Sequence, residues 1–229
     1  MDKIVLLLGI VSLLIAVFKP IRLLGAVSLF FFVAVAALRT VNCGFPPFFD
    51  PFDSILLFVI TFLIALLISK VESRVGYALS LLFSVPLLFV SDKIKDIPPI
   101  IKTPLFLVHV GSAMIAYGFV LSASVIAVLH FFSREKRESF AVLKVAFFFF
   151  SLSMVVGGIW AFLAWGDIFP IGPKSLFSFL LWFYLAFLLH VRQDSFLRRY
   201  ADYFVAFAGV IVLFTFLGVN YLFGGTHGF

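Results

Sequence analysis

The feature that most constrains this chain is a series of long apolar runs separated by short charged or Pro- and Gly-containing breaks. A helix needs about 20 mostly apolar residues to cross a hydrocarbon core of about 30 Å. The runs are continuous and do not alternate with period two, so they favour helices over the strands of a membrane barrel. They predict eight spans, at about residues 4–18, 21–38, 52–69, 75–90, 105–132, 141–163, 175–191 and 203–223. The first and fourth of these spans are short.

The composition excludes several classes of protein. Of the 229 residues, 64% are hydrophobic and only 12% are charged, against about 25% charged in an ordinary soluble domain. So few charges cannot cover the surface of a soluble domain of this size. We therefore exclude a soluble enzyme, a nucleic-acid-binding module and a disordered tail. The sequence predicts an all-α integral membrane protein in which residues 1–229 form one polytopic domain.

The basic residues indicate an orientation in the membrane. Eleven of them fall in loops or at span ends on one side: Lys19, Arg22, Lys70, Arg74, Arg134, Lys136, Arg137, Lys144, Arg192, Arg198 and Arg199. Six fall on the other side: Lys3, Arg39, Lys93, Lys95, Lys102 and Lys174. The richer side is expected to be cytoplasmic. Both termini and the Pro-containing loops then face outward from an inner or plasma membrane.

The four histidines are the first candidates for chemistry, because ionisable groups inside or at the edge of a membrane span are costly. His109 lies near the outer start of the fifth span and His227 follows the eighth, so both belong to the outer face. His130 is about 31 Å further along the fifth span, and His190 lies near the inner end of the seventh. Two facing imidazoles suit a metal centre, and for haem they would be the two axial ligands. The alternative is that each histidine is an interfacial residue with a hydrogen-bond partner, which we prefer for His130.

A second candidate is the aromatic segment at residues 157–182, which contains all three tryptophans of the chain, Trp160, Trp165 and Trp182. Flat aromatic surfaces beside glycines suit a planar macrocycle, and a lysine in the segment, Lys174, suits a carboxylate. The alternative is an aromatic belt, because tryptophan is enriched at bilayer interfaces.

The string from Trp160 to Arg192 resembles the tryptophan-rich WWD signature of the CcsA/ResC family of cytochrome c assembly proteins. The matching residues are Trp160, Ala161, Trp165, Gly166, Pro173, Lys174, Ser178, Trp182, Leu189, His190 and Arg192. Residues 44–58, 104–117 and 218–229 are similar to three further segments of the family, in the same order. The signature is degenerate here. Phe169, Ile171 and Phe177 stand where the family has Trp, Gly172 where it has Asp, and Ser175 where it has Glu.

The resemblance implies a haem-handling subunit of a system II cytochrome c assembly machinery, which presents haem b at the outer face for covalent attachment to apocytochrome c. It implies that His109 and His227 are axial ligands of the haem iron and that His190 belongs to a membrane-embedded haem site. The other haem-binding residues implied are Trp160, Trp165, Gly166, Asp167, Pro173, Lys174 and Trp182. The partners implied are a CcsB/ResB-like membrane subunit and apocytochrome c. The chain would be a subunit of a holocytochrome c synthase, and its role would be positioning, because it has no evident nucleophile or proton-transfer pair.

Three alternatives stay open. A HemX-like protein shares the architecture and is linked to tetrapyrrole synthesis. A non-catalytic regulator or scaffold would explain the degenerate signature but not the three histidines. A transporter or channel fits poorly, because it would require embedded carboxylates or broken paired helices. The aspartates at positions 50, 53, 92, 96 and 167 fall in predicted outer loops or at span ends.

The charge asymmetry gives a first testable prediction. In a Cys43→Ser background, we expect a cysteine at position 136 to react with an impermeant thiol reagent only after the membrane is opened. A cysteine at position 165 is expected to react in intact cells, because the side poorer in Lys and Arg faces outward. Labelling of position 136 in intact cells would reverse the orientation.

Overall fold

The structure is a computed structural model that describes residues 2–46, 48, 50–91, 98–132, 139–191, 193–218 and 222. Every regular element in these ranges is helical. Eight α-helices follow one another: α1 Asp2–Phe18, α2 Arg22–Cys43, α3 Pro51–Ile68, α4 Arg74–Ser84, α5 Pro104–Phe132, α6 Ser139–Trp165, α7 Pro173–Val191 and α8 Ala201–Leu213. Three short 3₁₀ segments accompany them, at Val85–Leu88, Pro99–Ile101 and Leu197–Tyr200. The π-helical turn Phe214–Gly218 continues α8.

The helices confirm an all-helical integral membrane protein. Six helical segments in the described part are long and apolar enough to cross a bilayer: Arg22–Cys43, Pro51–Ile68, Pro104–Phe132, Ser139–Trp165, Pro173–Val191 and Leu197–Gly218. Lys3–Phe18 and Arg74–Leu88 are shorter apolar helices, and they correspond to the two spans that the sequence marks as short. Each of the eight predicted segments is therefore helical in its described residues, and six of the helical segments reach crossing length.

The last span begins earlier than the sequence predicted. The sequence placed its start at residue 203, after Arg198 and Arg199, whereas the helical segment starts at Leu197. The physical reason is Asp194, whose Oδ1 accepts the backbone N–H groups of Phe196 and Leu197, each at 2.8 Å. A side-chain acceptor at this position satisfies N–H groups that the first turn of a helix leaves unpaired.

The chain divides into two compact units, Met1–Leu107 and Val108–Phe229. In the first unit, α1 packs along α2 and against α4, and α3 contacts both α2 and α4. Its core contains Leu6, Leu13, Phe32, Val35, Leu56, Leu63 and Tyr77. Tyr77 lies against Gly25, where an added Cβ would be only 2.8 Å from the tyrosine hydroxyl. Gly25 therefore allows α2 and α4 to approach each other closely.

In the second unit, α7 packs against both α6 and α8, and hydrogen bonds between helices fix the arrangement. Ser124 Oγ on α5 donates to the carbonyl of Val205 on α8 at 2.8 Å. A Cβ at Gly209 would be 2.9 Å from Ser124, so the glycine allows this close approach. Tyr184 on α7 donates to the carbonyl of Phe204 on α8 at 2.8 Å. The sequence prediction that both units form one domain stays a prediction.

A buried group of charges lies where α2 ends and α3 begins. The guanidinium of Arg39 is bidentate on Asp53, with Nε 2.5 Å from Oδ1 and Nη2 2.7 Å from Oδ2. Asp50 Oδ2 lies 3.6 Å from the same guanidinium, and Asp50 Oδ1 accepts the backbone N–H of Asp53. Phe52 places its ring 4.4 Å from the guanidinium carbon. Arg39 is only 1% exposed, so the carboxylates replace the water that this charge has lost.

We expect Arg39→Met to lower the free energy of unfolding by about 3–5 kcal/mol, because it leaves two buried carboxylates without their cation. Unfolding in mixed micelles titrated with SDS would measure this change. The double variant Arg39→Met/Asp53→Leu is expected to lose less than the single variant, and Lys19→Ala, at an exposed helix end, to change little. A single variant as stable as the parent protein would show that the ion pair does not hold α2 to α3.

Candidate functional site

The site is centred on His109, in the second turn of α5. Its Nδ1 lies 2.9 Å from the backbone carbonyl oxygen of Ser153 on α6. Ser153 Oγ lies 3.1 Å from the same nitrogen and donates to the carbonyl of His109 at 2.9 Å. A carbonyl oxygen can only accept, so Nδ1 carries the proton. The neutral ring then has its lone pair on Nε2, for which the described residues provide no hydrogen-bond partner.

The α6 surface that faces His109 is formed by Ser153, Gly157 and Trp160. Their spacing of four and three residues places them on one face of the helix. A Cβ at Gly157 would overlap the His109 ring, so only glycine leaves room for the imidazole in this position. Trp160 is buried at 4% exposure. Its ring is nearly parallel to that of His109, with an interplanar angle of 9° and a centroid separation of 6.5 Å.

Trp165 extends this aromatic surface to the end of α6. Its ring meets Trp160 edge to face, with centroids 4.8 Å apart, and it is 43% exposed. Gly166 then ends the helix with a left-handed φ of 75°, a conformation that glycine adopts without a steric cost. Asp167 is exposed, and its Oδ1 accepts the backbone N–H of Phe169 at 3.0 Å.

The start of α7 adds a positive charge. Pro173 is the first residue of the helix, where its missing N–H costs nothing. Lys174 follows, is half-buried and interacts electrostatically with the His109 ring. One end of the second unit thus brings together His109, Trp160, Trp165 and Lys174. Such a group of residues offers a nitrogen ligand, an aromatic surface and a cation.

The other predicted site residues lie elsewhere. Trp182 donates from Nε1 to Ser151 Oγ at 2.9 Å, and about 13 Å of α6 separates Ser151 from Trp160. His190 is exposed near the end of α7, at the opposite end of the unit, and its Nδ1 donates to the carbonyl of Ala186 at 2.8 Å. His227 lies outside the described residues.

His130 has the hydrogen-bond partner that the sequence argument preferred for it. Its Nδ1 lies 3.1 Å from Asp202 Oδ1, at the end of α5 opposite His109. His109 and His130 belong to the same continuous helix, α5. The length of helix between them excludes a shared ligand.

The sequence argument missed Ser153, and it named Gly157 only as a glycine of the aromatic segment, without its contact to His109. The sequence contained a signal for this arrangement, because Ser153, Gly157 and Trp160 repeat at helical spacing where the aromatic segment begins. Spacing alone does not show which neighbouring helix this face meets.

Comparison with known proteins agrees with the sequence resemblance. A family model described as cytochrome c assembly protein matches residues 3–227. The chain belongs to this family. The cytochrome c assembly family that the sequence resemblance indicated is thereby confirmed.

Similar proteins include the cytochrome c biogenesis protein CcsA of Spinacia oleracea, which is 33% identical over 92 residues, 40% of this chain and 28% of that protein. The CcsA of Glycine max is 28% identical over 100 residues, 43% of this chain and 31% of that protein. The CcsA of Oenothera biennis is 31% identical over 94 residues, 41% of this chain and 30% of that protein. The matched region therefore spans less than a third of the length of these relatives.

The contact between Gly157 and His109 gives a prediction on stability. We expect Gly157→Ala to lower the free energy of unfolding by about 1–3 kcal/mol, because the added methyl forces the imidazole out of its position. Gly111→Ala is a matched control two residues beyond His109, where an added Cβ meets no described atom within 4 Å. The control is expected to be neutral or to gain up to about 1 kcal/mol from helix propensity. Equal stability of the two variants would contradict the observed packing of His109 on α6.

Proposed function

We propose that this chain is a haem-handling subunit of a cytochrome c assembly machinery, and that it holds haem b at the end of the second unit where His109 lies. In this proposal the chain presents haem to apocytochrome c for covalent attachment. Membership of the cytochrome c assembly family supports the role in cytochrome c assembly. The observation that carries the haem site is the hydrogen bond from His109 Nδ1 to the carbonyl of Ser153.

That hydrogen bond prepares His109 to be an axial ligand. Metal-bound histidines commonly donate their second ring N–H to a carbonyl or carboxylate, which fixes the tautomer and the orientation of the ring. Here a backbone carbonyl accepts from Nδ1, so the lone pair lies on Nε2, the nitrogen left for iron. A backbone acceptor is fixed by the helix, so the ring is oriented before any ligand arrives.

The residues around His109 fit a haem in their chemistry. Trp165, which is 43% exposed and packs edge to face on the buried Trp160, would offer apolar aromatic surface to a planar macrocycle, and Lys174 would offer a cation to a carboxylate of the haem. When bound, haem supplies an iron that takes axial nitrogen ligands, and vinyl groups that form thioethers with cysteine thiols of the apocytochrome. The protein's own contribution is to bind, to orient and to exclude water.

The second axial ligand and the partners are further parts of the proposal. His227 is the candidate for the opposite axial position on the basis of the family resemblance. His190 is the candidate for an embedded haem site shared with a CcsB/ResB-like subunit. Its exposed position and the hydrogen bond from its Nδ1 leave Nε2 available to a partner. In this proposal the His109 end of the unit faces outward from an inner or plasma membrane.

The haem site can be tested by absorption spectroscopy of the purified protein titrated with haem. We expect the parent protein to show a Soret band of a histidine-ligated haem. We expect His109→Ala to weaken haem binding by more than the roughly 10–100-fold that loss of an outer hydrogen-bond partner typically costs. Added imidazole is expected to restore the spectrum in part, because it can occupy the vacated position.

Two control variants separate this role from a general loss of structure. His130→Ala removes a histidine at the opposite end of α5 and is expected to leave the spectrum unchanged. Ser153→Ala keeps the backbone carbonyl that accepts from Nδ1, so its effect is expected to be smaller than that of His109→Ala. If His109→Ala binds haem as the parent does, the axial role is wrong and a scaffold or HemX-like function is favoured.

A further inference from the structure

Four helices of the first unit meet at one end, where α1 and α3 end and α2 and α4 begin. Tyr77, in the first turn of α4, lies against Gly25, in the first turn of α2, so these two helices begin at the same level. The connection from α1 to α2 has three residues and the connection from α3 to α4 has five. Such short connections keep the ends of α1 and α3 at this level as well.

Basic side chains are concentrated at this end of the first unit, which we name the basic end. Each helix end or connection contributes one of them, and all are exposed: Lys19, Arg22, Lys70 and Arg74. Residues 18–24 and 68–76, which are all described, contain one acidic residue, Glu72. Four positive charges are thus opposed by one negative charge. Such an excess of one sign in a small area attracts ligands of the opposite charge.

Arg22 and Lys70 come together at the last turn of α3. Arg22 Nη2 donates to the carbonyl of Leu67 at 3.0 Å, and the backbone N–H of Lys70 donates to the same oxygen at 3.3 Å. A guanidinium has five N–H groups, so this bond leaves donors that an anion can use. In addition, α2 begins after Ile21 without a side-chain cap, and an uncapped helix start favours a nearby negative charge.

The backbone conformation of Lys70 is unusual for a lysine. Its φ of 54° is the one positive φ outside glycine among the described residues. Glycine is common at this position after a helix, because a side chain is strained in the left-handed region. The chain therefore carries a basic side chain at the basic end at a cost in backbone strain, which is a feature of functional sites.

Exposed apolar side chains lie directly beside these charges. Phe18 is 72% exposed and Leu23 is 70% exposed, and each is the chain neighbour of a basic residue. Ile21 and Ile68 are also exposed. They continue the lipid-facing surfaces of α1, α2 and α3 up to the basic end. A ligand that matches both kinds of surface carries an anionic group together with hydrocarbon chains.

We propose that the basic end of the first unit binds an anionic phospholipid, with its phosphodiester at Lys19, Arg22 and Lys70 and an acyl chain along Leu23 of α2. A free phosphate would match the charges but would leave the apolar side chains without a partner. The site lies in the first unit and goes beyond the haem proposal, on which it does not depend. It also does not depend on which face of the membrane carries the basic end.

The test is fluorescence quenching by nitroxide-labelled lipids, with the full chain in liposomes of phosphatidylcholine and in a Cys43→Ser background. A bimane fluorophore is attached at Ala26→Cys, an exposed position one turn along α2 from Arg22. The quencher is phosphatidylglycerol or phosphatidylcholine that carries the nitroxide on an acyl chain. A second label at Val155→Cys, exposed on α6 of the other unit, reports the lipid around the protein in general. The two lipids are compared at each label, so the depth of the label cancels.

At position 26 we expect phosphatidylglycerol to reach half-quenching at a mole fraction about fivefold or more below that of phosphatidylcholine. This factor corresponds to the attraction of about 1 kcal/mol that one basic residue exerts on an anionic membrane surface. At position 155 we expect the two lipids to quench equally. Lys19→Gln and Lys70→Gln are each expected to reduce the preference at position 26 severalfold. Arg22 is kept, because its replacement would also remove its bond to α3.

Lys144→Gln is the matched control, because it removes one exposed lysine from α6 and is expected to leave the preference at position 26 unchanged. Equal quenching by the two lipids at position 26 would overturn the proposal. A preference of the same size at position 155, or an equal loss in Lys144→Gln and Lys70→Gln, would also overturn it, because the charge of the whole protein would then attract the lipid. Loss of the preference in excess inorganic phosphate would identify a free phosphate as the ligand and exclude the lipid.

Discussion

The shortage of hydrogen-bond partners in lipid is the constraint on which this structure depends. Polar groups on membrane-spanning helices need partners within the protein, and most of the described ones find them in two ways, although the buried hydroxyls of Tyr77 and Ser122 have none. Many serines and threonines bond to their own helix, as Thr40 does to the carbonyl of Ala36. A smaller number bond across helices, and these determine which helices are neighbours and at which level they meet. Arg39 with Asp53 in one unit and Ser124 with Val205 in the other are of this second kind.

His109 also bonds across helices, and its chemistry follows from the need of a polar group in lipid for a partner within the protein. A backbone carbonyl on α6 uses one nitrogen of the ring and leaves the other with a lone pair that needs a partner. His190 also has its Nδ1 paired, but to its own helix and on an exposed face. The two histidines therefore offer Nε2 in different settings. The Nε2 of His109 belongs to a ring that is held between α5 and α6, whereas the Nε2 of His190 lies on the exposed surface of α7.

The sequence predicted the helical membrane class, the eight apolar segments and the placement of His109 with Trp160 and Trp165 at one end. These predictions rest on length, hydropathy and helical rise, which are properties of single segments. Three features were not predictable in this way. The pairing of Ser153 with His109 depends on how α6 is rotated toward α5. The separation of Trp182 from Trp160 depends on the level at which α6 meets α7. The early start of the last span depends on Asp194, whose capping bonds outweigh the two arginines that follow.

The positions at which this chain departs from its family signature are not distributed evenly over the site. Of the five departures, Ser175 and Phe177 lie in the first two turns of α7. Trp160, Trp165 and Lys174, which match the signature, lie around His109, whereas Phe169, Ile171 and Gly172, which do not, lie in the connection between α6 and α7. In the family pattern those three positions carry two indole N–H groups and a carboxylate, and each of these needs water or a polar partner. Their replacement by phenylalanine, isoleucine and glycine removes that need while the hydrogen bond that orients His109 is untouched. These three departures thus remove polar side-chain groups from the connection and change none of the residues that bond to His109.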